Sequence, residues 1–466
     1  MNPIVPLILA VALFMEQMDS TVIATALPAI AADLHVGPIT LKLALTAYMV
    51  ALAIFIPISG WMADRFGAKL VFRTAIAVFL TGSAMCAFSG SLSAFVISRF
   101  LQGMGGAMMT PVGRLVILRT TSRTELVRAM ALLTIPGLVG PLAGPPLGGF
   151  ITTYFTWHWI FLINIPIGIL GLILTSIYLP KIEAERPPPI DWTGFVLLAT
   201  AASGVVFGLS VISMPALPPA VGISTTVIGC GATLWYIIHA RKVEKPLLDL
   251  KLFAVPTFRT AILAGTFFRI AAGAFPFLLP LMLQIGFGFT PFQSGMTTFI
   301  GAIGAIATKF IAPRVLAFAG FKRLLLTTGT LGALLMFAIG LIEPTTPTAV
   351  ILGVLLISGF TRSFFFTSIN VLAYADIDGR AASQATAMSS TIQQVSLALG
   401  VAFAAVVLEI SSLFAGTALS VAQFHVAFHV VAICSALAVV PILTLTRESG
   451  ANVSGQNRHG AAEGGH

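Results

Sequence analysis

Apolar segments of about 20 residues recur from the N-terminus to about Leu445 of the 466-residue chain. A helix rising about 1.5 Å per residue crosses a hydrocarbon layer of about 30 Å in that length. It satisfies its backbone hydrogen bonds internally, as a spanning segment must. One or two such segments suit a soluble core, whereas a continuous series requires a bilayer. Composition agrees: 57% of the residues are hydrophobic, 9% are charged and mean hydropathy is +1.00. The fold class is therefore an all-α polytopic membrane protein. Fourteen spans are predicted, over 5–27, 43–61, 70–89, 94–117, 127–151, 158–179, 192–212, 220–239, 260–283, 294–315, 323–342, 348–368, 388–408 and 424–445. Met1 is followed by almost no positive charge, and the first stretch is longer than a signal-peptide core and lacks a small-residue cleavage pattern. It is read as a retained helix.

Charge placement gives this scheme an orientation. With the N-terminus inside, the cytoplasmic connections hold Arg65, Lys69, Arg73, Arg119, Arg123, Arg128, Lys181, Arg186, Arg241, Lys242, Lys245, Lys251 and Arg259. Lys309, Arg314, Lys322, Arg323 and Arg380 follow, with Arg447 and Arg458 in the tail, while only Lys42 falls outside. This is the positive-inside pattern, and an even number of spans returns the C-terminus to the cytoplasm. The net charge of +9 is thus a topology signal; its bearers are dispersed among short loops, with no basic face for nucleic acid.

Little chain remains for a soluble domain. The longest polar connections are Pro180–Asp191 and Arg241–Arg259, and the Gly-, Ser- and Ala-rich tail reads as disordered. Cys86, Cys230 and Cys434 lie in different spans, are expected to be buried, and imply no disulfide. His459 and His466 in the tail and His158 between two tryptophans form no metal cluster, and no Walker loop is present. No cofactor or metal is expected. Residues 1–180 are predicted as an N-terminal six-helix bundle and 181–257 as a linker region with two additional spans. Residues 258–446 then form a C-terminal six-helix bundle and 447–466 a flexible cytoplasmic tail. Transporters place substrate between such halves.

The polar residues inside the spans carry the functional reading. Glu16 and Asp19, three residues apart in the first span, lie on one side of a helix, and intramembrane carboxylates point to ion or substrate handling. A permanent structural pairing, for instance with Arg114, is the alternative. Arg99, followed by Gln102, Gly103, Gly105 and Gly106 in the fourth span, either organises a buried polar network or snorkels to the outer surface. In Gly60-Trp-Met-Ala-Asp64-Arg65-Phe-Gly67-Ala-Lys69, glycines allow a tight connection and Asp64 can pair with Arg65 or a helix-end donor, forming a latch or an ordinary charged turn. Gly140, Gly144 and Gly148 repeat every four residues in the fifth span, with Pro141, Pro145 and Pro146 among them and Gly149 after. They offer a face for close helix approach, with or without gating. In the second half Arg269, Arg362, Asn370 and Gln393, with Arg114 from the first, are central-cavity candidates; the arginines bind an anionic group, neutralise the first-helix carboxylates, or tie helices to backbone acceptors. Phe268, Phe275, Phe277 and Met282 line a cavity or pack the core.

Taken in order, these motifs resemble the major facilitator superfamily, in particular its fourteen-helix drug:proton antiporter branch and bacterial transporters of the MdtD type. Gly60–Lys69 resembles the superfamily loop motif, Arg99–Gly105 the fourth-helix motif, and Gly140–Gly149 the fifth-helix antiporter motif. Asp19–Pro28 and Trp157–Gly168 resemble the branch's first- and sixth-helix signatures, and the likeness spans 5–445. The resemblance implies proton-driven export of small amphipathic compounds or drugs across a bacterial inner membrane by alternating access. Asp19 would be the proton-coupling carboxylate, Glu16 its partner, and Arg99 with Gln102 the coupling element. Asp64 and Arg65 would belong to the cytoplasmic latch. Ala24 stands where the branch usually has Asn, so the polar arrangement there is not carried over. The alternatives are a metabolite transporter of different substrate or direction and a membrane scaffold or sensor. Protons, lipids and a small-molecule substrate are the expected partners, with no obligate protein partner.

Overall fold

A computed structural model describes residues 4–121, 125–180, 189–212, 214, 217–378, 381–415, 419–446 and 448–450. Loop 181–188, Arg123, Arg380, Arg447 and the tail from 451 lie outside the described residues. Among the described residues every regular element is a helix. The helices are α1 (Ile4–Val22), α2 (Leu27–Asp33), α3 (Lys42–Phe66), α4 (Ala68–Ala87), α5 (Leu92–Thr120), α6 (Leu126–Tyr154), α7 (Trp159–Leu162) and α8 (Asn164–Tyr178). They continue with α9 (Trp192–Val211), α10 (Pro219–Lys242), α11 (Pro256–Leu281), α12 (Pro291–Ile339), α13 (Thr348–Leu372), α14 (Ala382–Ala415), α15 (Val421–Ala436) and α16 (Val439–Leu443). Among the described residues, eleven helical stretches are long and apolar enough to cross a bilayer; α5, α6 and the first part of α12 are helices of similar length beside them.

Starts and stops follow local chemistry. Prolines at the first turn open α10 and α11, where a missing N–H costs nothing, and Ser420 with Gln423 forms a capping box on α15. Gly67, at φ 87°, is the whole connection between α3 and α4. Gly60, expected in that connection, lies inside α3 because apolar side chains carry the helix on to Phe66. Similarly, the break expected between 315 and 323 shrinks to Gly320, at φ 71°, within an otherwise continuous α12. The two glycines play parallel parts. Two residues after Gly67, Lys69 Nζ donates to the carbonyls of Ser176 and Leu179 (2.8 and 2.6 Å); two residues after Gly320, Lys322 Nζ donates to those of Leu443 and Leu445 (3.1 and 2.6 Å). Each lysine satisfies carbonyls left over at a distant helix end.

The chain divides into two compact units, residues 1–247 with 288–296, and 248–287 with 297–466. In the first, α1 lies along α6. A Cβ at Gly140 would stand 3.0 Å from the Phe14 carbonyl, one at Gly144 would strike the Thr21 hydroxyl, and one at Gly148 the Val22 carbonyl. The prolines among these glycines leave α6 unbroken. Leu9, Leu13, Phe72, Phe79, Met109 and Val116 form the apolar core between α1, α4 and α5. The hairpin α9–α10 belongs to this unit by contact: Phe195 packs on Phe55 and Trp192 on Trp61 of α3. In the second unit α11 and α14 approach through Gly273 against the Leu397 carbonyl and Gly400 against that of Ile270.

Several single residues depart from expectation. Cys86 is buried, but Cys230 is exposed on α10 and Cys434 is half-buried. A helix in lipid has no need to turn apolar residues inward. Lys42, expected in an outer connection, is the first residue of α3 and fully buried.

Candidate functional site

Asp19 and Glu16, one turn apart on α1, are 0% and 4% exposed. Arg99 of α5, 1% exposed, reaches Asp19: its Nη1 donates to Asp19 Oδ2 at 2.7 Å and to Gln102 Oε1 at 2.5 Å. Gln102 donates Nε2 to Asp19 Oδ1 at 2.9 Å and to Ser83 Oγ of α4 at 2.7 Å. Asn164, the first residue of α8, donates Nδ2 to the same two atoms at 2.7 and 3.2 Å. Asp19 thus accepts from a guanidinium and two amides presented by two other helices. Burial of its charge is offset by an ion pair and neutral donors, the condition under which a buried carboxylate is tolerated. The short side is Gly82: a Cβ there would stand 2.6 Å from the Gln102 amide nitrogen, so its absence lets α4 bring Ser83 to the network.

Glu16 lies beside this network. The Tyr48 hydroxyl donates to Glu16 Oε1 at 3.2 Å and Gln17 Nε2 to Oε2 at 2.6 Å. The Arg99 guanidinium sits 4.3 Å above the Tyr48 ring and 5.9 Å from the Phe161 ring, within cation–π reach. Tyr48 therefore touches both the cation and the second carboxylate. Arg99 does not snorkel, and Arg114, exposed on α5, pairs with neither acid; Arg99 occupies that place. A proton added to Asp19 would turn one acceptor position into a donor facing three donors. The arrangement is suited to exchanging a proton or cation against a local rearrangement.

The loop motif is placed differently from its expected pairing. Asp64 Oδ1 accepts from Arg119 Nη2 of α5 at 2.8 Å, both side chains partly exposed, while Arg65 is exposed at the end of α3. The motif on α6 uses its faces separately. Gly140, Gly144 and Gly148 meet α1, whereas Gly149 meets the Pro291 carbonyl, and the Pro145 carbonyl meets Gly295. Pro141 is half-buried beside them. In the second unit Arg269, 2% exposed, donates Nη2 to Asn370 Oδ1 at 2.7 Å, and Arg362 lies 4.1 Å above the Phe275 ring. Gln393 is half-buried on α14. Ala24 is buried in the single 3-10 turn that ends the first span.

Sequence reasoning passed over Ser83 and Tyr48 and gave Asn164 no role. Asn164 was discoverable as the lone amide in Ile160–Ile169, a signal of the same kind as Glu16. Ser83 and Tyr48 carry no such signal, since hydroxyls in apolar helices commonly bond their own backbone.

A many-spanning helical protein with a buried ion pair inside its spans has the architecture of a secondary transporter, and the relatives it matches place it in that class. The chain belongs to the Major Facilitator Superfamily, whose family model matches residues 9–401. It is 37% identical over 401 residues to the probable transport protein HsrA of Haemophilus influenzae, covering 86% of each chain. It is 37% identical over 410 residues to the putative multidrug resistance protein MdtD of Salmonella paratyphi B, covering 86% of this chain and 85% of that one. The fold is shared with solved structures of a POT family peptide transporter (TM-score 0.68, 17% identity, covering 94% and 96%) and a D-xylose–proton symporter (TM-score 0.67, 14% identity, covering 96% and 98%).

Proposed function

We propose that this protein is a proton-coupled antiporter that exports small amphipathic compounds across a bacterial cytoplasmic membrane by alternating access. The carrying observation is the buried Asp19–Arg99 pair at 2.7 Å, closed by Gln102 and Asn164. In this reading Asp19 is the proton-exchanging carboxylate. Protonation releases Arg99 and Gln102, the helices they join can shift, and the direction of shift favours one access state. Glu16, joined to the same arginine through Tyr48, is the second carboxylate of this network. The likeness to a protein named for multidrug resistance supports export. Fourteen spans, with both termini in the cytoplasm, accommodate the eleven apolar stretches together with α5, α6 and the first part of α12. Six helices precede and six follow the α9–α10 hairpin in this scheme. The Asp64–Arg119 pair and the Lys69 anchor act as the cytoplasmic latch of one access state.

The test is substrate-dependent proton movement in proteoliposomes. A panel of labelled compounds is offered with and without an imposed proton gradient, using wild type and Asp19→Asn. Gradient-driven accumulation by wild type and its loss in a correctly inserted Asp19→Asn are expected. Full gradient-driven transport by that variant, or inward movement of the cognate compound together with the proton, would sink the reading.

A further inference from the structure

The two units treat their buried arginines in opposite ways. Arg99 is met by Asp19, whereas among the described residues no carboxylate forms an ion pair with Arg269 or Arg362. Arg269 is 2% exposed; its Nη2 has the Asn370 amide, but Nε and Nη1 are buried without a partner. Arg362 is half-buried and rests on the face of Phe275. A buried guanidinium with unfilled donors is costly and is retained where something else supplies the acceptors.

Both arginines face one seam. Phe275 of α11 meets Arg362 of α13, Phe268 stacks on Phe365 at 4.3 Å, and Arg269 lies 5.9 Å from the Phe366 ring while bonding Asn370. The helices therefore run antiparallel along this seam. The six residues from Arg269 to Phe275 set the two cations roughly 9 Å apart along it. Aromatic rings lie beside each cation. This seam offers two cationic donors and an aromatic wall.

We propose that Arg269 and Arg362, with Asn370, form the recognition site for an organic anion, so that the transported compounds carry a carboxylate, sulfonate or phosphate on an aromatic or apolar body. The proposal rests on the transport reading above and names its substrate class. A guanidinium suits this chemistry because its planar set of donors matches a carboxylate or phosphate edge. The Asn370 amide adds orientation, and the phenylalanines take the apolar remainder. A free metabolite and an anionic lipid headgroup present the same chemistry, and the assignment is to the free compound.

The experiment is equilibrium binding of labelled 2-naphthoate to the purified full-length protein in detergent, against 2-naphthylmethanol and 2-naphthylmethylammonium, which differ in charge but little in shape. Naphthoate is expected to bind best. Arg269→Gln and Arg362→Gln should each weaken naphthoate by about tenfold or more while leaving the neutral alcohol unchanged, and Arg269→Lys should recover part of the loss. Elution as a monodisperse peak with wild-type melting separates this from misfolding. Where a Gln variant misfolds, the wild-type charge series decides alone. Three results overturn the proposal: equal binding of all three compounds, equal weakening of all three by the Gln variants, or displacement of naphthoate by phosphatidylglycerol but not by phosphatidylcholine, which assigns the site to lipid. Since binding needs no gradient, absence of anion preference beside intact proton-coupled transport removes this proposal alone. Anion binding without proton movement removes the transport mechanism instead.

Discussion

Removing both partners of the Asp19–Arg99 pair should cost less than the sum of removing each alone. The pair is 0% and 1% exposed and 2.7 Å apart, so a single neutral substitution strands a buried charge. For such pairs the loss is about 3–5 kcal/mol, most of it the burial cost of the remaining ion. Asp19→Asn leaves Arg99 Nη1 with Gln102 Oε1 and no counter-charge; Arg99→Gln leaves Asp19 with its Gln102 and Asn164 donors. Because Asp19 keeps two donors and Arg99 keeps one neutral acceptor, the arginine is the worse orphan, and Asp19→Asn is expected to be the more costly change. The double variant restores neutrality, so its cost should fall short of the sum by a coupling energy of about 1.5–3 kcal/mol. The assay is reversible unfolding in mixed micelles by the wild type, both single variants and the double variant. Strict additivity, or Arg99→Gln costing more than Asp19→Asn, would refute the account of the pair as mutually compensating buried charges.

Two smaller perturbations test the packing around it. Gly148→Ala drives a Cβ into the Val22 carbonyl, a backbone atom that cannot rotate away, whereas Gly60→Ala adds one into open space. The first should destabilise by about 1–3 kcal/mol in the same unfolding assay and the second should not destabilise at all. Asn164→Ala removes one donor from Asp19 Oδ1 and one from Ser83 Oγ but leaves the ion pair, so it should cost about 1–3 kcal/mol, and a cost equal to that of Asp19→Asn would show Asn164 to be more than a neutral donor.

Hydropathy made the helical series legible because a spanning helix must be apolar over its whole length, and intramembrane charge made Glu16, Asp19 and Arg99 stand out for the same reason. What hydropathy cannot register is where an apolar helix stops. The α3 helix runs past Gly60 to Phe66, and α12 passes through the region expected as a loop until Gly320. In both cases one glycine with positive φ performs a turn for which a longer polar loop was expected. Partner identity was hidden for a different reason. Asp64 has a basic neighbour in sequence but bonds Arg119, 55 residues on, because α3 and α5 pack side by side and bring their ends together.

The contrast between the two units bears on how coupling and recognition are divided. In the first unit the acid, the cation and two amides close on one another, so any event that protonates Asp19 leaves several donors seeking acceptors at once. In the second, Arg269 already has donors to spare and Arg362 has an aromatic face in place of an acid. A network closed around an ion pair is well suited to switching between two arrangements, because losing that pair leaves its donors to be filled elsewhere. An under-filled one is suited to binding, because the ligand supplies what the protein lacks. Under the proposed antiport, proton exchange and substrate selection would therefore fall on different helices rather than compete for one carboxylate.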